Sequence, residues 1–191
     1  MYKLAAAFAL LASPALVAFS GAPAAATGLE IEIEGEGANG TVTVDLFEDL
    51  APKHVERIST LAAEGQYDGV VFHRVIEGFM AQTGDVEFGR IGGDMRRAGT
   101  GGSNRPDLPA EFSDYNYDRG VVGMARAQDP DSANSQFFIM FEPGPFLNGQ
   151  YTVVGQVTEG MDVVDAIKRG DGPNGAVIGQ PDVMKKVTVT E

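Results

Sequence analysis

The segment Phe72–Asp85 reads FHRVIEGFMAQTGD and sets a single cation, Arg74, inside an otherwise apolar run. A guanidinium withdrawn from water needs partners or a task. On an extended chain Arg74 shares a face with Phe72 and Ile76, and beyond the break at Gly78 Met80 shares one with Gln82. One patch then combines an apolar pocket floor, a guanidinium and an amide, a place to seat an apolar group with hydrogen-bond donors beside it. Structural pairing of Arg74 with a carboxylate explains the same pattern, and patterning alone leaves both readings open. A second run, QFFIMF, puts Gln136, Phe138 and Met140 on one face and Phe137, Ile139 and Phe141 on the other. One face suits a core and the other a groove.

Other chemistries fail on their spacing. Gly35–Gly40 (GEGANG) matches GxGxxG, but the strand-like TVTVDL follows it where a phosphate site needs a helix N-terminus, so it reads as a hairpin turn. Asp129, Asp131 and Asn134 resemble the start of a calcium loop, yet no Gly follows and Met140 stands where a bidentate Glu is required, which leaves a structural loop. The two imidazoles, His54 and His73, belong to no GxSxG or HExxH pattern. With no cysteine in the chain, disulfides, thiolate metal sites and thiol nucleophiles are excluded. No cofactor and no metal is expected. The net charge of −13, without a run of Lys or Arg, argues against nucleic acid, whose backbone needs cations to displace its counterions.

These residues must be positioned by many short strands and two helices. Leu29–Glu34 and Thr41–Leu46 alternate with period two around Asn39-Gly40 and predict a hairpin. Pro52–Ala63 carries Val55, Ile58, Leu61 and Ala62 on one face, opens with Pro and ends before Gly65, which predicts a first helix. Met161–Arg169 predicts a second, ending in Lys168 and Arg169 before Gly170. Further strands are expected at 70–76, 79–83, 121–125, 136–141, 151–157 and 183–190. Short strands separated by Gly-rich turns predict a mainly β fold built as a closed antiparallel barrel. Ahead of them, residues 1–26 hold Lys3, an apolar stretch too short to span a bilayer, and Ala24, Ala25 and Ala26 at a small-x-small cleavage site. A signal peptide is expected, cut after Ala26 or Ala24, leaving 27–191 as one domain, periplasmic or secreted, with no stable membrane insertion.

On these residues the sequence resembles the cyclophilin family of peptidyl-prolyl cis/trans isomerases, most of all its exported bacterial members. FHRVIEGFMAQTGD is similar to the family signature, and matching segments follow in order at 99–102, 123–125, 134–139 and 147–149, within a resemblance that runs from about Leu29 to Thr190. The resemblance implies an eight-stranded barrel capped by two helices, with the substrate groove on its outer surface. It implies that Arg74 is catalytic and that Phe79, Met80, Phe138 and Leu147 hold the substrate proline ring. Gln82, Ala125, Arg126 and Gln136 then hold substrate backbone or orient the arginine, and His73 supports it. Four positions depart from common family patterns: Phe146 replaces a tryptophan beside the pocket, Tyr151 a histidine, Arg126 an asparagine and Glu77 a proline. The implied partners are proline-containing peptides and unfolded exported proteins, met by a monomer. A non-catalytic proline-peptide binding or chaperone module of the same fold is the alternative.

Overall fold

The alternation in the first hairpin sorts its side chains as the period requires. Strand β1 (Gly28–Glu34) sends Leu29, Ile31 and Ile33 inward and its three glutamates outward, and pairs antiparallel with β2 (Gly40–Leu46) from Gly28↔Asp45 to Ile33↔Gly40. The turn lies at residues 35–39, where Asn39 Nδ2 donates to the Gly35 carbonyl at 2.8 Å. The structure, a computed structural model, describes residues 27–191, so the expected signal peptide lies outside the described residues.

Helix α1 spans Pro52–Ala63, as expected, and buries Val55, Ile58, Leu61 and Ala62. Its first turn has no local side-chain cap; the carboxylate of the distant Glu111 accepts the N–H groups of Lys53 and His54 at 3.2 and 3.1 Å. Helix α2, expected to reach Arg169, covers only Met161–Ala166. The buried Asp182 carboxylate accepts the Lys168 N–H at 2.7 Å, and Ile167 turns extended (φ −57°, ψ 130°) to deliver it. That bond replaces the next helical turn.

The remaining strands are β3 (Val70–Val71), β4 (Arg74–Ile76), β5 (Met80–Thr83), β6 (Val121–Met124), β7 (Phe137–Met140), β8 (Val153–Glu159) and β9 (Val183–Thr190). All nine form one curled antiparallel sheet in the order β3-β9-β1-β2-β8-β6-β7-β5-β4. The expected closed eight-stranded barrel is corrected here. The run Val70–Ile76, read as one strand, breaks at Phe72-His73, so that β3 pairs with β9 and β4 with β5. The two outermost strands are therefore consecutive in the chain, and the sheet is brought round by the chain itself rather than by a hydrogen-bonded ladder.

The break also corrects a side-chain assignment. Phe72 is fully buried in the main core, and its N–H donates to the Asp182 carbonyl at 2.9 Å. Arg74 and Ile76 face the other way, so Phe72 does not share their face. On β7 the alternation holds: Phe137, Ile139 and Phe141 enter the main core, whereas Phe138 and Met140 join a second apolar cluster with Met80, Leu147 and Val153. That second cluster underlies the site.

Candidate active site

Strand register sets the functional side chains in rows. Arg74 lies opposite Gln82, Gln82 opposite Phe138, and Phe138 opposite Gly123, one row across β4, β5, β7 and β6. The neighbouring row runs Ile76, Met80, Met140. Cross-strand partners on one face stand within contact distance, which places a guanidinium and an amide beside an aromatic and a thioether.

Above these rows lies a cavity of about 380 Å³ that gathers most of the residues singled out in the sequence. Met80, Phe138 and Leu147 form its buried floor. Phe79 and Phe146 stand at one side with ring centroids 5.5 Å apart, Phe146 being 63% exposed. Tyr151 packs edge-on to Phe138 at 6.1 Å, and Ala125, Arg126, Gln82 and Arg74 complete the wall. Gln136 lines an adjoining cavity of about 410 Å³ that shares Gln82, Ala125 and Arg126 with the first. His73 lies behind the wall, 6% exposed, and lines neither cavity. The Ala125 N–H is already given to the Gln136 carbonyl at 2.9 Å, so the Ala125 carbonyl is what its backbone offers a ligand.

The partners of Arg74 bear on one of the two readings left open by its pattern, pairing with a carboxylate. Nη1 donates to Gln82 Oε1 at 3.1 Å and lies 3.9 Å from Met80 Sδ, Nε donates to the Asn174 carbonyl at 2.9 Å, and Nη2 donates to Asn174 Oδ1 at 3.2 Å. None of these is a carboxylate, so the positive charge is held without being neutralised. Because arginine can only donate, Gln82 must present its oxygen to it and its Nε2 outward. Gln82 Nε2 donates to Gln136 Oε1 at 2.9 Å, and Gln136 Nε2 to the Gly101 carbonyl at 2.8 Å. Each amide thus fixes the orientation of the next.

The far end of this relay is secured by Asp85, which is 0% exposed. Its Oδ1 accepts from the N–H groups of Glu87 and Phe88 at 3.1 and 2.9 Å, and its Oδ2 from those of Gly99 and Gly101 at 2.7 and 3.0 Å. Arg126 spends its guanidinium on protein carbonyls, those of Gln150 (2.9 Å from Nη2), Ala127 (3.0 Å) and Gln128 (3.2 Å), and lies over the Tyr151 ring at 4.4 Å. It ties the rim together. The acidic loop behind it is likewise structural: Asp131 Oδ1 accepts the Ala110 N–H at 2.8 Å and Asn134 Oδ1 that of Ser103 at 2.8 Å. Among the described residues no group of three or more His, Asp or Glu side chains is placed to hold a metal.

Sequence reasoning did not single out Tyr117 or Asn174, and held Gly123 only as part of the matching segment 123–125. Tyr117 is buried beneath the floor and stacks on Phe138 at 5.8 Å. A Cβ on Gly123 would stand 2.5 Å from Tyr117 Oη and 2.6 Å from Phe138 Cζ, so only glycine admits both rings. Gly123→Ala is expected to lose about 1–3 kcal/mol of stability by overpacking and to raise KM as Phe138 is displaced into the cavity. Urea denaturation and substrate titration would read both effects, and an unchanged KM would show that the floor accommodates the methyl elsewhere.

Both histidines are neutral near pH 7. Burial pushes His73 down to about 4 despite the nearby Asp85 carboxylate. Burial likewise lowers His54, whose Nδ1 lies 2.6 Å from Glu111 Oε2. An unfolded histidine takes up a proton near 6.5, so for His73 unfolding binds a proton between that value and about 4. Its contribution to stability is whole above pH ~6.5 and falls by about 1.4 kcal/mol per pH unit on the way down. Urea midpoints taken from pH 7.5 to 5 should decline and the slope should lessen in His73→Gln; a flat profile would contradict the assignment.

Residues 29–189 match the family described as cyclophilin type peptidyl-prolyl cis-trans isomerase/CLD. A probable peptidyl-prolyl cis-trans isomerase of Brucella suis is 61% identical over 153 residues, 79% of this chain and 78% of that one. A peptidyl-prolyl cis-trans isomerase of Helicobacter pylori is 41% identical over 135 residues, 69% of this chain and 77% of that one. Among solved structures, a cyclophilin-type isomerase of Cryptosporidium parvum, crystallised in the presence of the dipeptide Ala-Pro, superposes with a TM-score of 0.70 at 26% identity, covering 86% of this chain and 99% of that one. The chain belongs to the cyclophilin-type peptidyl-prolyl cis-trans isomerases. Its reaction is rotation about the peptide bond that precedes proline.

Proposed function

We propose that Arg74 is the catalytic residue of this isomerase, that Phe79, Met80, Phe138 and Leu147 seat the substrate proline ring, and that the protein works as a monomer on unfolded exported chains in the periplasm or outside the cell. The observation that carries the reading is the un-neutralised Arg74 guanidinium, gripped by Gln82 and Asn174 at the wall of a cavity with an apolar floor. The Ala-Pro dipeptide of the Cryptosporidium relative supports a proline-sized occupant.

Resonance opposes rotation of the amide with a barrier of ~18–20 kcal/mol, and X-Pro exchange takes tens to hundreds of seconds unaided. No covalent bond breaks. As the bond twists, the proline nitrogen regains its lone pair and becomes an acceptor that the planar ground state does not offer. A donor fixed at that point stabilises only the transition state. Arg74 keeps its charge while doing so, because a guanidinium does not give up its proton near neutrality. Lowering a barrier of ~20 to ~14 kcal/mol gives turnover of order hundreds per second, and one charge-assisted hydrogen bond supplies ~1.5–3 kcal/mol of it. The remainder is assigned to the apolar floor, which strengthens the bond by excluding water, and to backbone contacts at Gln82 and Ala125 that favour a twisted substrate.

The test is cis-to-trans conversion of a short Ala-Pro-Phe peptide with purified protein, alongside mass measurement of the protein recovered from each cell fraction. Acceleration by an exported species beginning near Thr27 supports the reading. Full-length protein confined to the cytosol would overturn the export part and leave the enzymology intact.

A further inference from the structure

We infer that Asn174 is a positioning residue of the isomerase site, reaching from the far end of the chain to fix the Arg74 guanidinium at the cavity wall. The inference rests on the reading of Arg74 as the group that meets the substrate. Asn174 sits in a short 3-10 turn, Pro173–Gly175, with φ 55° and ψ 29°, the one non-glycine residue of positive φ among those described. Glycine would hold that backbone without strain, as Gly175 beside it does at φ 78°. What asparagine adds over glycine is its side chain, and the side chain is used. Oδ1 accepts from Arg74 Nη2 at 3.2 Å while the Asn174 carbonyl accepts from Arg74 Nε at 2.9 Å.

Two acceptors of one residue therefore hold adjacent N–H groups of the fork, and Gln82 Oε1 holds Nη1 at 3.1 Å from the other side. A long, flexible side chain gripped from both sides has little rotamer freedom left to lose when the substrate nitrogen becomes an acceptor. The turn itself cannot drift from β4. Ala176 forms a bridge with Arg74, the Val177 N–H donates to the His73 carbonyl at 3.0 Å, and a Cβ on Gly175 would lie 2.3 Å from Ile76 Cγ1. The chemistry of the grip matters as much as its geometry: an amide accepts a hydrogen bond without cancelling the charge, whereas a carboxylate here would compete with the substrate for it.

Asn174→Gly tests this, since it keeps the left-handed backbone and the carbonyl acceptor and removes the side chain that carries Oδ1. We expect kcat to fall roughly five- to tenfold with KM changed less than about twofold, the melting temperature staying within a few degrees of wild type. Asn174→Asp, which keeps an acceptor at the same place, should lose more activity than Asn174→Gly at neutral pH. In an Arg74→Ala background Asn174→Gly should cost nothing further, as one unit cannot be lost twice. Equal losses in both backgrounds would overturn the inference and leave the role of Arg74 standing. Full activity of Arg74→Ala alone would overturn that role and the inference together.

Discussion

Arg74→Ala is expected to lower kcat/KM for an Ala-Pro-Phe peptide by roughly 10–10²-fold, the ~1.5–3 kcal/mol that one charge-assisted hydrogen bond made in the transition state supplies. KM should move little, because in the proposed reading the ring rests on the cavity floor of Met80, Phe138 and Leu147 and not on the guanidinium. Arg74→Lys should recover only a small part of the loss. An ammonium is a point charge on a flexible stem and cannot donate at once to Gln82 Oε1, the Asn174 carbonyl and Asn174 Oδ1 as the fork does. NMR exchange spectroscopy on the peptide measures both variants without a coupling protease. A loss smaller than threefold in Arg74→Ala would mean that desolvation and backbone contacts carry the catalysis.

Asp85→Ala should be the most damaging single change to stability in the site, at about 3–4 kcal/mol. Four backbone N–H groups converge on that carboxylate, itself 0% exposed, and its removal takes the shared acceptor from all four. Asp85→Asn should cost less but still more than 1 kcal/mol, because an amide turns an N–H₂ group toward two of the four donors. Activity should fall alongside stability. Gly101, released from Asp85, no longer fixes Gln136, and the relay through Gln82 loses its anchor. Urea denaturation reads the first effect, and kcat/KM at a temperature where the variant stays folded reads the second. Stability within 1 kcal/mol of wild type in Asp85→Ala would show that the loop re-pairs its N–H groups on its own.

Where local pattern and tertiary demand agree, the sequence was readable. Helix α1 begins at a proline and stops before a positive-φ glycine, and its bounds follow from those two residues. The division of β7 into a core face and a groove face follows from strict alternation. Where a distant side chain intervenes, pattern misleads. Asp182 draws the Lys168 N–H away from α2, and its carbonyl takes the Phe72 N–H at the break that separates β3 from β4. No periodicity within 70–76 or 161–169 encodes a partner so far along the chain. The same holds for the site. Arg74, Phe79, Met80 and Gln82 lie in one short motif and could be read together, whereas Asn174 is joined to them only by folding. Gly123 and Tyr117 are legible only once Phe138 is seen stacked between the groove and the layer beneath it.

The way the sheet comes round has a bearing on what the molecule can safely touch. An open sheet exposes rows of unpaired N–H and C=O groups along its edges, and these recruit extended strands from other chains into growing aggregates. Here the edge strands are very short, and each is covered on its outer side. The Val71 N–H donates to the Gly89 carbonyl and the Ile91 N–H to the Gly69 carbonyl along β3, while the Gly170 N–H donates to the Val75 carbonyl along β4. A protein proposed to spend its working life among unfolded, strand-prone clients thus gives them no template to add to. It can hold a proline without becoming a nucleus for misassembly.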